Sequence, residues 1–73
     1  MEMQKIEKSS NINAVGYDHD ARELHVEFKN GSRYAYKGVA PDHVERLVTS
    51  DSPGAYFSAN VRRGDFPFRK IED

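Results

Sequence analysis

Polar and apolar positions alternate most cleanly over residues 23–29. There "ELHVEFK" sets Leu24, Val26 and Phe28 against Glu23, His25, Glu27 and Lys29. A period of two is the mark of a strand with one buried and one solvated face. Residues 12–18 and 33–38 read as two further strands, each bounded by turn chemistry. "KNGS" joins the second and third, because Asn30 and Gly31 tolerate positive φ.

The length of that loop decides where Tyr34 and Tyr36 point. A two-residue loop would set them opposite Glu27 and His25, on the charged side. A three-residue loop, Lys29-Asn30-Gly31, pairs Val26 with Tyr34 and Leu24 with Tyr36. It also sets Glu27 opposite Arg33 and Glu23 opposite Lys37. Only this register collects the apolar side chains on one face, and burying them together is the larger energy term. The three-residue loop is therefore expected, with both tyrosines in the core. A four-residue loop from His19 to Arg22 likewise pairs Tyr17 with Leu24 and Val15 with Val26.

The apolar face of such a meander needs a cover. "APDHVERLVTS" starts with Pro41 in a first turn, carries Asp42 and Glu45 near the positive helix end, and spaces Val44, Leu47 and Val48 on one stripe. "SPGAYFSANVRRG" reads as a second helix, with Ser52 as cap, Pro53 in the first turn and Gly64 as stop. Phe57 and Val61 share one face of it. The expected architecture is α+β: a three-stranded antiparallel β-meander with two helices packed on one face. Its core is Leu24, Val26, Phe28, Tyr34, Tyr36, Val44, Leu47, Val48, Phe57 and Val61, with Val15 and Tyr17 beside them. Residues 1–10, "MEMQKIEKSS", are polar and charge-balanced and read as a flexible tail, neither signal peptide nor membrane anchor. Residues 11–73 then form a single domain. Phe66 precedes a proline and must be extended, and at least one of Phe66 and Phe68 is expected to pack back.

Composition narrows the function more than it names it. The 73 residues hold no cysteine, which excludes disulfides and thiol chemistry and fits a cytoplasmic protein. The net charge of −1 is not that of a typical nucleic-acid binder. Charge is nevertheless uneven. Arg62, Arg63, Arg69 and Lys70 stand against Asp65 alone in "VRRGDFPFRK", a local balance of +3, whereas residues 39–60 carry −2. His19, His25 and His43 are scattered, the glycines form no phosphate-cradling loop, and no nucleophile motif is present. Neither enzyme activity, cofactor nor metal is expected.

The candidate binding residues are therefore Arg62, Arg63, Phe66, Phe68, Arg69 and Lys70 of the basic C-terminal stretch, with Arg33 and Lys37 on the charged sheet face. The basic residues suit phosphate or an acidic protein surface, with phenylalanine as anchor. A sheet edge offers a second route, since unpaired backbone groups accept a partner's strand.

Taken as a set, "AVGYD", "LHVEF", "NG", the "YAY" pair, "GV" and "SPGAYFSANVR" resemble the KTSC domain, over about residues 11–63. That small domain occurs at the C-terminus of some lysyl-tRNA synthetases and as standalone bacterial and phage proteins. The resemblance implies no enzymatic activity. It implies RNA binding only by association with the synthetase. In size and lack of chemistry the chain is also similar to small phage proteins that bind bacterial RNA polymerase. A monomeric, protein-binding regulator of transcription is the expected function, with a weak RNA-binding module as the alternative and no membrane involved.

Overall fold

The computed structural model describes residues 3–71. The expected strands form with little change: β2 spans Ile12–Asp18, β3 Glu23–Phe28 and β4 Arg33–Lys37. The β3–β4 hairpin closes through a three-residue loop. Phe28 N–H donates to Ser32 O at 2.8 Å and Gly31 N–H to Phe28 O at 2.9 Å, with Gly31 at φ +93°. Glycine takes that backbone without the Cβ penalty. Val26 then faces Tyr34, Leu24 faces Tyr36, Glu27 faces Arg33 and Glu23 faces Lys37. In the first hairpin, Tyr17 pairs with Leu24 and Val15 with Val26.

The sheet is larger than the expected meander. It has five antiparallel strands in sequence order, because β1 (Gln4–Lys5) adds to β2 and β5 (Phe68–Ile71) adds to β4. The fold class stands, but the strand number is corrected. Residues 3–10 of the expected tail are thereby drawn into the domain, while residues 1 and 2 lie outside the described residues. Ile6 donates its N–H to Asn13 O at 2.8 Å and buries its side chain. Ser9 Oγ accepts from Ile12 N–H at 2.9 Å. A Cβ added at Gly54 would stand 2.7 Å from Asn11 Oδ1 and 3.1 Å from Ser9 Oγ, so this N-terminal turn packs closely against the second helix.

Helix α1 runs Pro41–Thr49 and buries Leu47; α2 runs Pro53–Phe57 and continues into a π-helical turn, Ser58–Arg62. Ser52 occupies the cap position of α2 but makes no side-chain cap bond. Among the described residues no helix is long and apolar enough to cross a membrane. The core joins Ile6, Ile12, Val15, Leu24, Val26, Tyr36, Val39, Leu47, Phe57 and Val61, with Tyr17, Phe28, Tyr34, Val44 and Val48 packed against it. Every expected core residue is among these. Ile6, Ile12 and Val39 are additions. Ile12 turns inward because the β2–β3 register slips between Ile12 and Ala14, which breaks strict alternation.

Candidate functional site

The helices cover the sheet incompletely, and a groove of about 480 Å³ is left beside β4 and β5. Its walls come from the sheet (Phe28, Tyr34, Tyr36, Phe68), from Phe57, Ser58 and Arg62 of the α2–π segment, and from the turn residues Asn11, Asn30 and Ser32. The rings make a connected surface. Phe57 packs edge-on to Phe28 and Tyr36 at centroid distances of 5.7 and 5.3 Å, while Phe68 leans on Tyr34 and Tyr36 at 5.9 and 5.5 Å. Such offset and edge-on contacts suit the ring quadrupoles. Phe68 itself is 63% exposed.

Pairing decides which candidate residues reach the groove. In β5, Phe68 lies opposite Tyr36 and Lys70 opposite Tyr34, so both stand on the helix side of the sheet. Arg69 lies opposite Ala35, on the other face, where its Nη2 donates to Glu23 Oε1 at 3.3 Å. The basic C-terminal stretch is thus divided between two faces: Arg62 and Phe68 line the groove, and Lys70 shares the face of Phe68. Arg63 is exposed beyond the π-helical turn. Phe66 packs back as one of the two phenylalanines was expected to, edge-on to His43 at 5.9 Å. His43 Nδ1 in turn lies 3.0 Å from the Tyr56 hydroxyl, tying α1 to α2.

Arg33 and Lys37 belong to the charged face. Arg33 Nε donates to Glu27 Oε1 at 2.8 Å, and Lys37 is exposed opposite Glu23. Hydrogen bonds from Asn13 and Arg33 hold the Glu27 carboxyl below the usual carboxylate range. Glu23 is buried between His25 Nε2 and Arg69 Nη2, both 3.3 Å from its Oε1. Both carboxylates of this face are thus paired with basic side chains of the same sheet. Among the described residues, no group of three or more metal-ligating side chains gathers where it would hold a metal ion.

Among the described residues, Arg62 is the only charged one of the groove lining, and none of them there is a carboxylate. Burial pushes the Tyr36 hydroxyl above its ordinary pKa, an effect partly offset by the nearby charge of Arg62. A raised folded pKa means stability that is complete below the unfolded value, about 10, and is lost as pH rises through the folded one. Urea midpoints measured from about pH 9 to 11 are therefore expected to fall less for Tyr36→Phe than for the parent chain. Equal slopes would show that Tyr36 titrates as freely folded as unfolded.

The sequence reading missed Asn11, Asn30, Ser32 and Ser58 as groove residues. Nothing in local pattern marks them, since they meet only when the N-terminal turn, the β3–β4 hairpin loop and the α2–π segment converge.

Residues 8–66 match the family model of the KTSC domain. The chain is 32% identical over 65 residues to an uncharacterized protein of Stutzerimonas stutzeri, covering 89% of this chain and 92% of that one. It is 35% identical over 60 residues to a protein of Tsukamurella paurometabola, covering 82% and 88%. The crystal structure of a KTSC domain protein from Yersinia pestis superposes with a TM-score of 0.84 at 35% identity, over 97% of both chains. The sheet and the helices thus follow a shared frame, and the chain belongs to the KTSC domain family.

Proposed function

We propose that this chain is a non-enzymatic, monomeric protein-binding regulator acting in the cytoplasm, and that the groove bounded by Arg62 and Phe68 is its docking surface. The observation that carries this reading is Phe68: a large ring, mostly exposed, held in place by two tyrosines on a surface that borders a cation. Exposed aromatic and arginine side chains in a concave setting are the common anchors of protein interfaces. Bacterial RNA polymerase is the first partner to test, on the analogy of small phage regulators. The same rings and cation also favour a second reading, a single-stranded RNA base stacked on Tyr34 or Phe68. The near-neutral net charge weighs against it.

The test is affinity capture from bacterial lysate, with and without nuclease, using the parent chain and the Arg62→Glu, Phe68→Ala double variant. A discrete protein complex that survives nuclease and disappears with the double variant is the expected result. Ribonucleoproteins lost on nuclease treatment, with binding that falls steeply with salt, would transfer the function to RNA. Capture unaffected by the double variant would remove the groove.

A further inference from the structure

The free edge of β5 lies alongside the groove. It is the last strand of the sheet, bonded on one side to β4, and among the described residues no strand pairs with its other side. Phe68, Arg69 and Lys70 are exposed. Such an edge offers an unused row of backbone donors and acceptors, and a four-residue strand is long enough to register a short peptide. Side chains along the edge then set the specificity, because alternate residues of an added strand fall on the same face.

On the groove face those edge residues are Phe68 and Lys70, two positions apart. An added strand therefore sets one side chain beside the Phe68 ring and, two residues away, another beside the Lys70 ammonium. The first position favours an aromatic or large apolar side chain, which would complete the surface already made by Tyr34, Tyr36 and Phe68. The second favours a carboxylate, the charge complement of the exposed Lys70 ammonium, and among the described residues the adjoining groove is lined by the cation Arg62 and by no acid. Every pairing in the sheet is antiparallel. An antiparallel strand meets Lys70 before Phe68.

We infer that β5 is a peptide-recognition edge that takes an extended segment of a partner protein with the pattern acidic–x–aromatic, the carboxylate beside Lys70 and the ring beside Phe68. This rests on the protein-binding reading above and specifies the chemistry of its partner.

The test uses the full chain labelled with nitrogen-15 and the unlabelled pentapeptide Thr-Glu-Thr-Phe-Thr, capped at both ends. Amide signals of Phe68 to Ile71 are expected to shift and to gain protection from exchange, with those of the groove rim following. Phe68→Ala should weaken binding about tenfold or more, the size of a hot-spot loss. Lys70→Glu should weaken it too, and should then prefer Thr-Lys-Thr-Phe-Thr, a charge swap that mere loss of folding cannot imitate. The variants' own amide spectra report whether they fold.

The inference is overturned if the peptide shifts signals elsewhere or nowhere. It is overturned equally if charge order makes no difference, if a single-stranded RNA pentamer takes the same edge in preference, or if β5 signals depend on protein concentration alone, as pairing of two copies would require. Capture lost with the Arg62→Glu, Phe68→Ala variant alongside a silent peptide would leave protein binding standing and remove this mode of recognition. A responding peptide without captured protein would do the reverse.

Discussion

Phe57→Ala is expected to leave the chain largely unfolded at room temperature. Phe57 is fully enclosed where α2 passes into the π-helical turn, and it is the largest wholly buried side chain among the described residues. Its ring touches Phe28 from one side and Tyr36 from another. It is therefore the piece that fastens the helical cover to the sheet. Removing a buried phenylalanine costs about 3–5 kcal/mol. A single core in a domain below about 80 residues rarely supplies more than that, so the deletion consumes the whole margin. Amide dispersion and a urea titration would check this. The expected spectrum is collapsed, with no cooperative transition. A folded variant losing less than about 1.5 kcal/mol, the range of a mild core change, would mean that the cover is held elsewhere. Phe57→Leu keeps most of the volume and should remain folded, with the groove wall altered.

Ile6→Ala tests the opposite end of the chain. Its side chain is only 5% exposed and joins the main core, and its backbone bonds to β2 through Asn13. Deleting a buried isoleucine side chain to alanine costs about 2–5 kcal/mol, whereas the same change in a solvated tail costs almost nothing. The midpoint in urea should drop without a large change in slope, since the unfolded surface is nearly the same. An unchanged midpoint would return residues 3–10 to the status of a tail.

Both predictions concern residues that local pattern treats very differently. Phe57 was legible, because its i, i+4 relation to Val61 and the proline start of the helix announce a buried stripe. Ile6 was not, since Met1, Met3 and Ile6 within "MEMQKIEKSS" keep no sustained period and form no apolar run. β5 was hidden for a related reason. Of its four residues, "FRKI", the two on the groove face are Phe68 and Lys70, so alternation separates no apolar set from a polar one. Edge strands of this kind form because an existing strand offers them a ladder. That offer is invisible until β4 is in place.

The candidate site was legible in part. The sequence singled out Arg62, Phe68 and Lys70, but grouped them with Arg69 as one basic patch. Strand pairing separates them: neighbours along a strand point to opposite faces, so Lys70 shares the helix-side face with Phe68 while Arg69 turns to Glu23. Tyr34 and Tyr36 show the same effect more mildly. Both lie on the apolar face as the hairpin register required, yet Tyr36 is buried under Phe57 and Tyr34 stays half-exposed in the groove wall.

What the sequence determined alone was whatever depends on near neighbours. That includes the two hairpins, their loop lengths and register, the two helical segments, and the face that carries the aromatic residues. Turn geometry and side-chain period act over a few residues, so they can be read locally. Tertiary structure alone decided that both ends of the chain become edge strands and that Ile12 turns inward at a bulge. It also decided that the helices stop short of β5 and leave a groove there. Those outcomes depend on contacts between residues far apart in the chain, where the energy lies in completing a sheet and filling a volume that no single segment contains.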